Sequence, residues 1–108
     1  MGISAVRLGP RVTISVERHL AGADHEELRR VVSEQLEQDA TEFVVDFAAA
    51  GYIDSRGLGA LVAASKKIRN RGASLRLTNL AGDLRKLFKL TKLDEFFDLG
   101  PGGGPRAA

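Results

Sequence analysis

Cysteine and tryptophan are absent from the 108 residues, and tyrosine and methionine occur once each. Without cysteine there is no disulfide, no thiolate nucleophile and no cysteine-ligated metal, a composition suited to a reducing compartment. One tyrosine and no tryptophan leave almost nothing on which single-stranded bases could stack. The formal charge of +2 is too small to attract nucleic acid by itself. No apolar run approaches the roughly 18 residues of a membrane helix, and Met1–Pro10 lacks the apolar centre of a signal peptide. The expectation is a cytoplasmic protein that binds neither nucleic acid nor membrane directly. With 44% hydrophobic and 28% charged residues, the chain has the material for one domain with a modest core.

The small total charge hides two opposed segments. Glu17 to Asp54 holds ten acids against three bases, whereas Arg56 to Lys92 holds ten bases against one acid, Asp83. Two readings stand: the segments neutralise each other in the fold, or the second forms a basic face for an acidic partner protein.

Hydrophobic periodicity divides the chain. Arg11–Glu17 alternates, with Val12, Ile14 and Val16 apolar, and reads as a strand with one buried face. After a turn at 20–23, Asp24 and Glu27 form a capping-box pattern ahead of Leu28, Val31, Val32 and Leu36, which predicts an amphipathic helix over 24–38. Phe43–Phe47 reads as a central strand, 48–54 as a connection, and Ser55 as the cap of a helix reaching Arg71. Leu58, Leu61, Val62, Ser65 and Ile68 mark its buried side, Ala60, Ala63 and Ala64 permit close packing, and Gly72 stops it. Ala73–Thr78 is a further strand, Asp83–Leu90 a short helix, and Phe96–Leu99 a last short strand. Residues 1–99 form the domain. With four Gly and two Pro in nine residues, 100–108 reads as a disordered tail. Strands joined through helices should run parallel with right-handed crossovers. Because two strands alternate, the helices should gather on one face, giving an α/β domain.

Chemistry concentrates at Tyr52–Gly59, where a strand region meets a helix. Ser55 at the cap can accept from the amides of Gly57 or Leu58. The same helix end tolerates an added phosphate of about −1.5 to −2 charges. A helix cap and a phosphorylation switch are both consistent with these residues. Asp46 ends a strand as a receiver's phosphoacceptor does, but no paired acids follow the first strand. A structural Asp46, bonding to backbone near the Ser55 turn, fits better. Gly57-Leu58-Gly59 is not followed by the Gly-Lys-Ser/Thr of a P-loop. His19 and His25 lack a third metal ligand at suitable spacing and no base is placed for Ser55, so no catalytic, metal or cofactor site is expected.

Asp54-Ser55-Arg56-Gly57-Leu58-Gly59 resembles the Asp-Ser-Ser/Thr-Gly-Leu-Gly signature of bacterial anti-sigma-factor antagonists in the STAS-domain family. It follows Val44-Val45-Asp46-Phe47 and precedes an amphipathic helix, as in that family. Leu84–Phe97 is similar to the family's closing segment. The resemblance implies a STAS-like domain with a mixed, mostly parallel sheet of four to five strands. It also implies that the protein binds an anti-sigma factor of the serine-kinase type, frees a sigma factor in a stress response, and is switched off by phosphorylation of Ser55. A PP2C-type phosphatase would reverse the switch. The implied partner surface is Asp54, Ser55, Arg56, Gly57, Ala60 and Lys67, with no catalysis of its own. The alternative family roles are a scaffold subunit of a stress-signalling complex and the small partner of a lipid-transport ABC ATPase. Arg56 departs from the family's Ser/Thr, setting a guanidinium beside the hydroxyl where it can pair with a phosphate. His19-Leu20-Ala21-Gly22 departs from the family's Gly-Glu-Leu/Ile-Asp.

Overall fold

A computed structural model describes residues 2–17, 19–20, 24–50, 52–93 and 97. The elements in chain order are β1 (Ile3–Leu8), β2 (Arg11–Val16), β3 (His19–Leu20), α1 (Asp24–Glu37), β4 (Glu42–Asp46), β5 (Tyr52–Ile53), α2 (Ser55–Asn70), β6 (Ser74–Thr78) and α3 (Gly82–Leu90). β1, β2, β4 and β6 form one sheet in that order, and β3 pairs with β5 in a second, two-stranded sheet. The β2–β4 and β4–β6 pairs are parallel, as the helical crossovers require, and β1–β2 is antiparallel.

Register explains the core. Val12, Phe43 and Leu75 stand side by side across the three parallel strands, as do Ile14, Val45 and Leu77. Of these six only Leu75 keeps appreciable exposure. The interleaved rows, Thr13–Val44–Arg76 and Ser15–Asp46–Thr78, are half-buried or exposed. One face is thus covered and the other is open, as strand alternation requires. α1 buries Leu28, Val31, Val32 and Leu36, the four residues its spacing selects. α2 buries Leu61, Ala64, Ser65 and Ile68, while Leu58 and Val62 are half-buried and Ala63 is exposed. On α3, Leu84 and Phe88 are buried, but Leu90 is 76% exposed. No buried side-chain nitrogen or oxygen among the described residues lacks a partner.

Several expectations need correction. Residues 3–8 form a strand, an element that the sequence pattern did not assign. Its pattern was hidden because Val6 and Leu8 lie on the open face, 63% and 75% exposed. Gly9, at φ 58°, makes the hairpin turn with Pro10 that returns the chain into β2. The connection 48–54 contains β5, whose partner β3 lies beside the turn expected at 20–23. α1 ends at Glu37 and starts at Asp24 itself. Gly72 stops α2 at φ 76°, while Asp39 and Lys92, at φ 67° and 63°, adopt the same left-handed conformation after the other two helices. Asp46 is structural, but its carboxylate accepts from the Ala48 amide and the Asn79 side chain, both at 2.9 Å. It therefore braces the turns after β4 and β6 rather than the Ser55 turn. The strand expected at 96–99 and the tail 100–108 lie outside the described residues, apart from buried Phe97. Its ring meets that of Phe88 edge to face at 5.6 Å.

Candidate functional site

Ser55 stands at the end of the sheet where the parallel strands finish, the usual location for sites in such sheets. Three local features hold it there. Leu20 of β3 accepts the backbone N–H of Asp54 at 3.2 Å, tying the start of α2 to the small sheet. Gly57 is buried against Leu20, and a Cβ at this position would collide with the Leu20 carbonyl. Asp54, in extended conformation, is the N-cap: its Oδ1 accepts from the Gly57 amide at 2.8 Å, and its carbonyl accepts from Leu58 at 2.9 Å.

That arrangement corrects the cap assignment. Asp54 does the capping expected of Ser55, and Ser55 becomes the first helical residue, with an exposed side chain. The distinction matters chemically. A capping hydroxyl would be engaged with backbone, whereas the Ser55 hydroxyl has no hydrogen bond among the described residues. The backbone amides of Ser55 and Arg56 point from the positive end of the α2 dipole, and the first turn of α2 contains no acid. Asp54→Ala should cost about 1 kcal/mol of stability through loss of the cap. Asp54→Asn, which keeps an accepting oxygen, should cost distinctly less, as urea denaturation would report.

The expected partner residues separate into groups. Asp54, Ser55 and Arg56 are together at the helix start, half-buried, exposed and exposed respectively. Gly57 belongs with them as a packing residue, but it is buried and offers no surface. Ala60 is 5% exposed and packs into the core, so it cannot face a partner. Lys67 is exposed but lies about 18 Å along the helix at ~1.5 Å per residue, and its ammonium donates to Ser33 Oγ of α1 at 2.8 Å. It is not part of the Ser55 rim. Tyr52 opens the stretch that the sequence singles out but was not among the expected partner residues, and it is 54% exposed on β5 three residues before Ser55. Exposed aromatics next to a polar rim suit protein contacts.

The STAS domain family model matches residues 3–102. The chain is 42% identical over 48 residues to an anti-sigma-B factor antagonist of Bacillus subtilis, covering 44% of each chain. It is 36% identical over 55 residues to the anti-sigma-B factor antagonist of Listeria monocytogenes, covering 51% of this chain and 48% of that one. These matches therefore span less than half of either relative. The fold resembles the anti-sigma factor antagonist SpoIIAA in its unphosphorylated form, with a TM-score of 0.70 at 19% identity, covering 87% of this chain and 96% of that chain. It also resembles an anti-sigma factor antagonist from Mycobacterium paratuberculosis, with a TM-score of 0.77 at 20% identity, covering 92% and 84% respectively. Phosphorylated SpoIIAA from Bacillus superposes with a TM-score of 0.72 at 20% identity, covering 92% of each chain. Element order, sheet topology and a family match over nearly the whole chain agree: the chain belongs to the STAS domain family.

Proposed function

We propose that this protein is an anti-sigma-factor antagonist, a binding protein without catalysis of its own. It would sequester an anti-sigma factor of the serine-kinase type in the bacterial cytoplasm until Ser55 is phosphorylated. The observation that carries this reading is the exposed, unengaged Ser55 hydroxyl at the first position of α2, with Asp54 supplying the cap. A kinase can reach that oxygen without breaking a bond the fold depends on. The phosphate then meets the helix dipole and the amides of Ser55 and Arg56, so the charge is tolerated where it is added. What changes is the surface: a neutral rim between Tyr52 and Arg56 gains a dianion, and a partner desolvating that rim would have to bury it. The Arg56 guanidinium can pair with the phosphate, which would moderate the change without cancelling it. The names of the Bacillus and Listeria relatives support the same role. No helix among the described residues is long and apolar enough to cross a membrane.

Wild-type and Ser55→Glu proteins, used as baits in lysate of the source bacterium, test the proposal. Wild type should retain a kinase-like anti-sigma factor that the variant loses. Equal capture by both of a transporter ATPase or a stress-complex scaffold would overturn it and leave Ser55 as an ordinary first-turn residue.

A further inference from the structure

Away from Ser55, α1 and α2 flank a small pocket of about 110 Å³ that opens to solvent, lined by Arg29 and Val32 of α1 and by Ala63, Ala64 and Lys67 of α2. Its origin is readable from the helix register. The Lys67–Ser33 hydrogen bond sets those residues opposite each other. Both helices are crossovers between parallel strands and so point the same way. Stepping back four residues on each therefore places Arg29 opposite Ala63. A methyl group facing a guanidinium leaves space that a longer residue would fill.

The charges around this space are unbalanced. Two cations line it from opposite helices, and no carboxylate does. Neither Arg29 nor Lys67 has an ion pair with a carboxylate among the described residues. The contrast with Arg30, one position along, is direct. Arg30 bonds Glu34 at 3.0 Å and Glu27 at 2.9 Å, and these hold its guanidinium above its ordinary pKa, Glu34 most strongly. Two like charges facing one cavity repel unless an anion lies between them. Val32 and Ala64 are buried and give the space an apolar floor, and the Ser33 hydroxyl, already accepting from Lys67, has a proton left to donate.

We propose that this cavity binds a carboxylate carried on a short apolar stem, with the carboxylate between Arg29 and Lys67 and the stem on Val32 and Ala64. The volume is somewhat smaller than the roughly 150 Å³ that admits benzene, so about six non-hydrogen atoms of a ligand fit inside it and the rest must lie outside. Either a free short-chain acid or a glutamate side chain of another protein has that chemistry. The proposal does not depend on the role of Ser55.

Amide chemical-shift titration of the whole protein tests it, using butyrate, N-acetylglutamate methylamide and inorganic phosphate at constant ionic strength. At least one carboxylate should give saturable shifts confined to Val32, Ser33, Ala63, Ala64 and their neighbours. Arg29→Gln and Lys67→Gln, both at exposed positions, should each weaken it about tenfold, the loss of one charge-assisted hydrogen bond. Ser55→Glu should leave it unchanged. Butyrate binding more tightly assigns a free acid; the glutamate mimic binding more tightly assigns a protein side chain. Shifts that fail to saturate, that survive both Gln variants, or that phosphate reproduces at equal concentration would overturn the site.

Discussion

Leu61→Ala should lower unfolding free energy by about 2–5 kcal/mol, among the larger effects available to a single substitution in a domain of this size. Leu61 is fully buried on the face of α2 turned toward the sheet. Its removal forfeits the transfer energy of the side chain and leaves a void. That void is bordered by elements pinned at both ends: Gly57 against Leu20, and Ala73 accepted by Ile68 at 3.0 Å. Collapse around the missing side chain is therefore limited, which favours the upper part of the range. The urea midpoint should fall with little change in the denaturant slope. Ala63→Ser, at an exposed position on the same helix, should stay within about 0.5 kcal/mol of wild type. If Leu61→Ala matched that control, the burial assigned to α2 would be wrong.

Gly57→Ala and Gly59→Ala should move stability in opposite directions although they lie two residues apart in one helix. Alanine is better than glycine in a helix interior by roughly 1 kcal/mol. At Gly59 nothing lies within 4 Å of an added Cβ, so the propensity gain should appear as a modest stabilisation. At Gly57 the Cβ would overlap the Leu20 carbonyl and come within 2.9 Å of the Leu20 side chain. Because the obstructing atom is backbone, relief requires separating α2 from β3, at a cost of about 1–3 kcal/mol beyond the lost propensity gain. The same displacement would shift Asp54 and Ser55, so Gly57→Ala should also weaken partner binding while Gly59→Ala should not. Thermal melts of the two variants give the comparison. Equal shifts of one sign would mean that α2 does not rest on β3 as described.

The parts of the fold legible in the sequence were those where one face is buried and one is wet. α1 is the clearest: Leu28, Val31, Val32 and Leu36 recur at helical spacing, and all four are buried. The alternation of Val12, Ile14 and Val16 likewise gave β2 its inward face. β1 was missed because only Ile3 of its residues is fully buried, and its bulky Val6 and Leu8 face solvent. An edge strand on an open face has no alternation to display. β3 and β5, of two residues each, are set by tertiary contact and are too short for any periodic signal. At the site, the motif located the right turn. It could not decide between Asp54 and Ser55 as cap, since either side chain can accept the Gly57 amide and only backbone geometry selects Asp54. The assignment of Ala60 failed for a related reason. Alanine is equally acceptable on both sides of a helix, and its 5% exposure follows from the rotation set by Leu61 and Ile68.

On the proposed function, Ser55 is a phosphoacceptor whose modification changes binding and leaves the fold intact. The most direct measurement incubates the purified protein with ATP and the serine kinase that it captures. The phosphorylated residue is then mapped by mass spectrometry, and the binding and melting temperature of the product are compared with those of the starting protein. The prediction is a single phosphate on Ser55, none on Ser55→Ala, a melting temperature close to the unmodified value, and loss of binding to the kinase. Phosphate placed on another residue, or full binding by protein phosphorylated at Ser55, would contradict the switch.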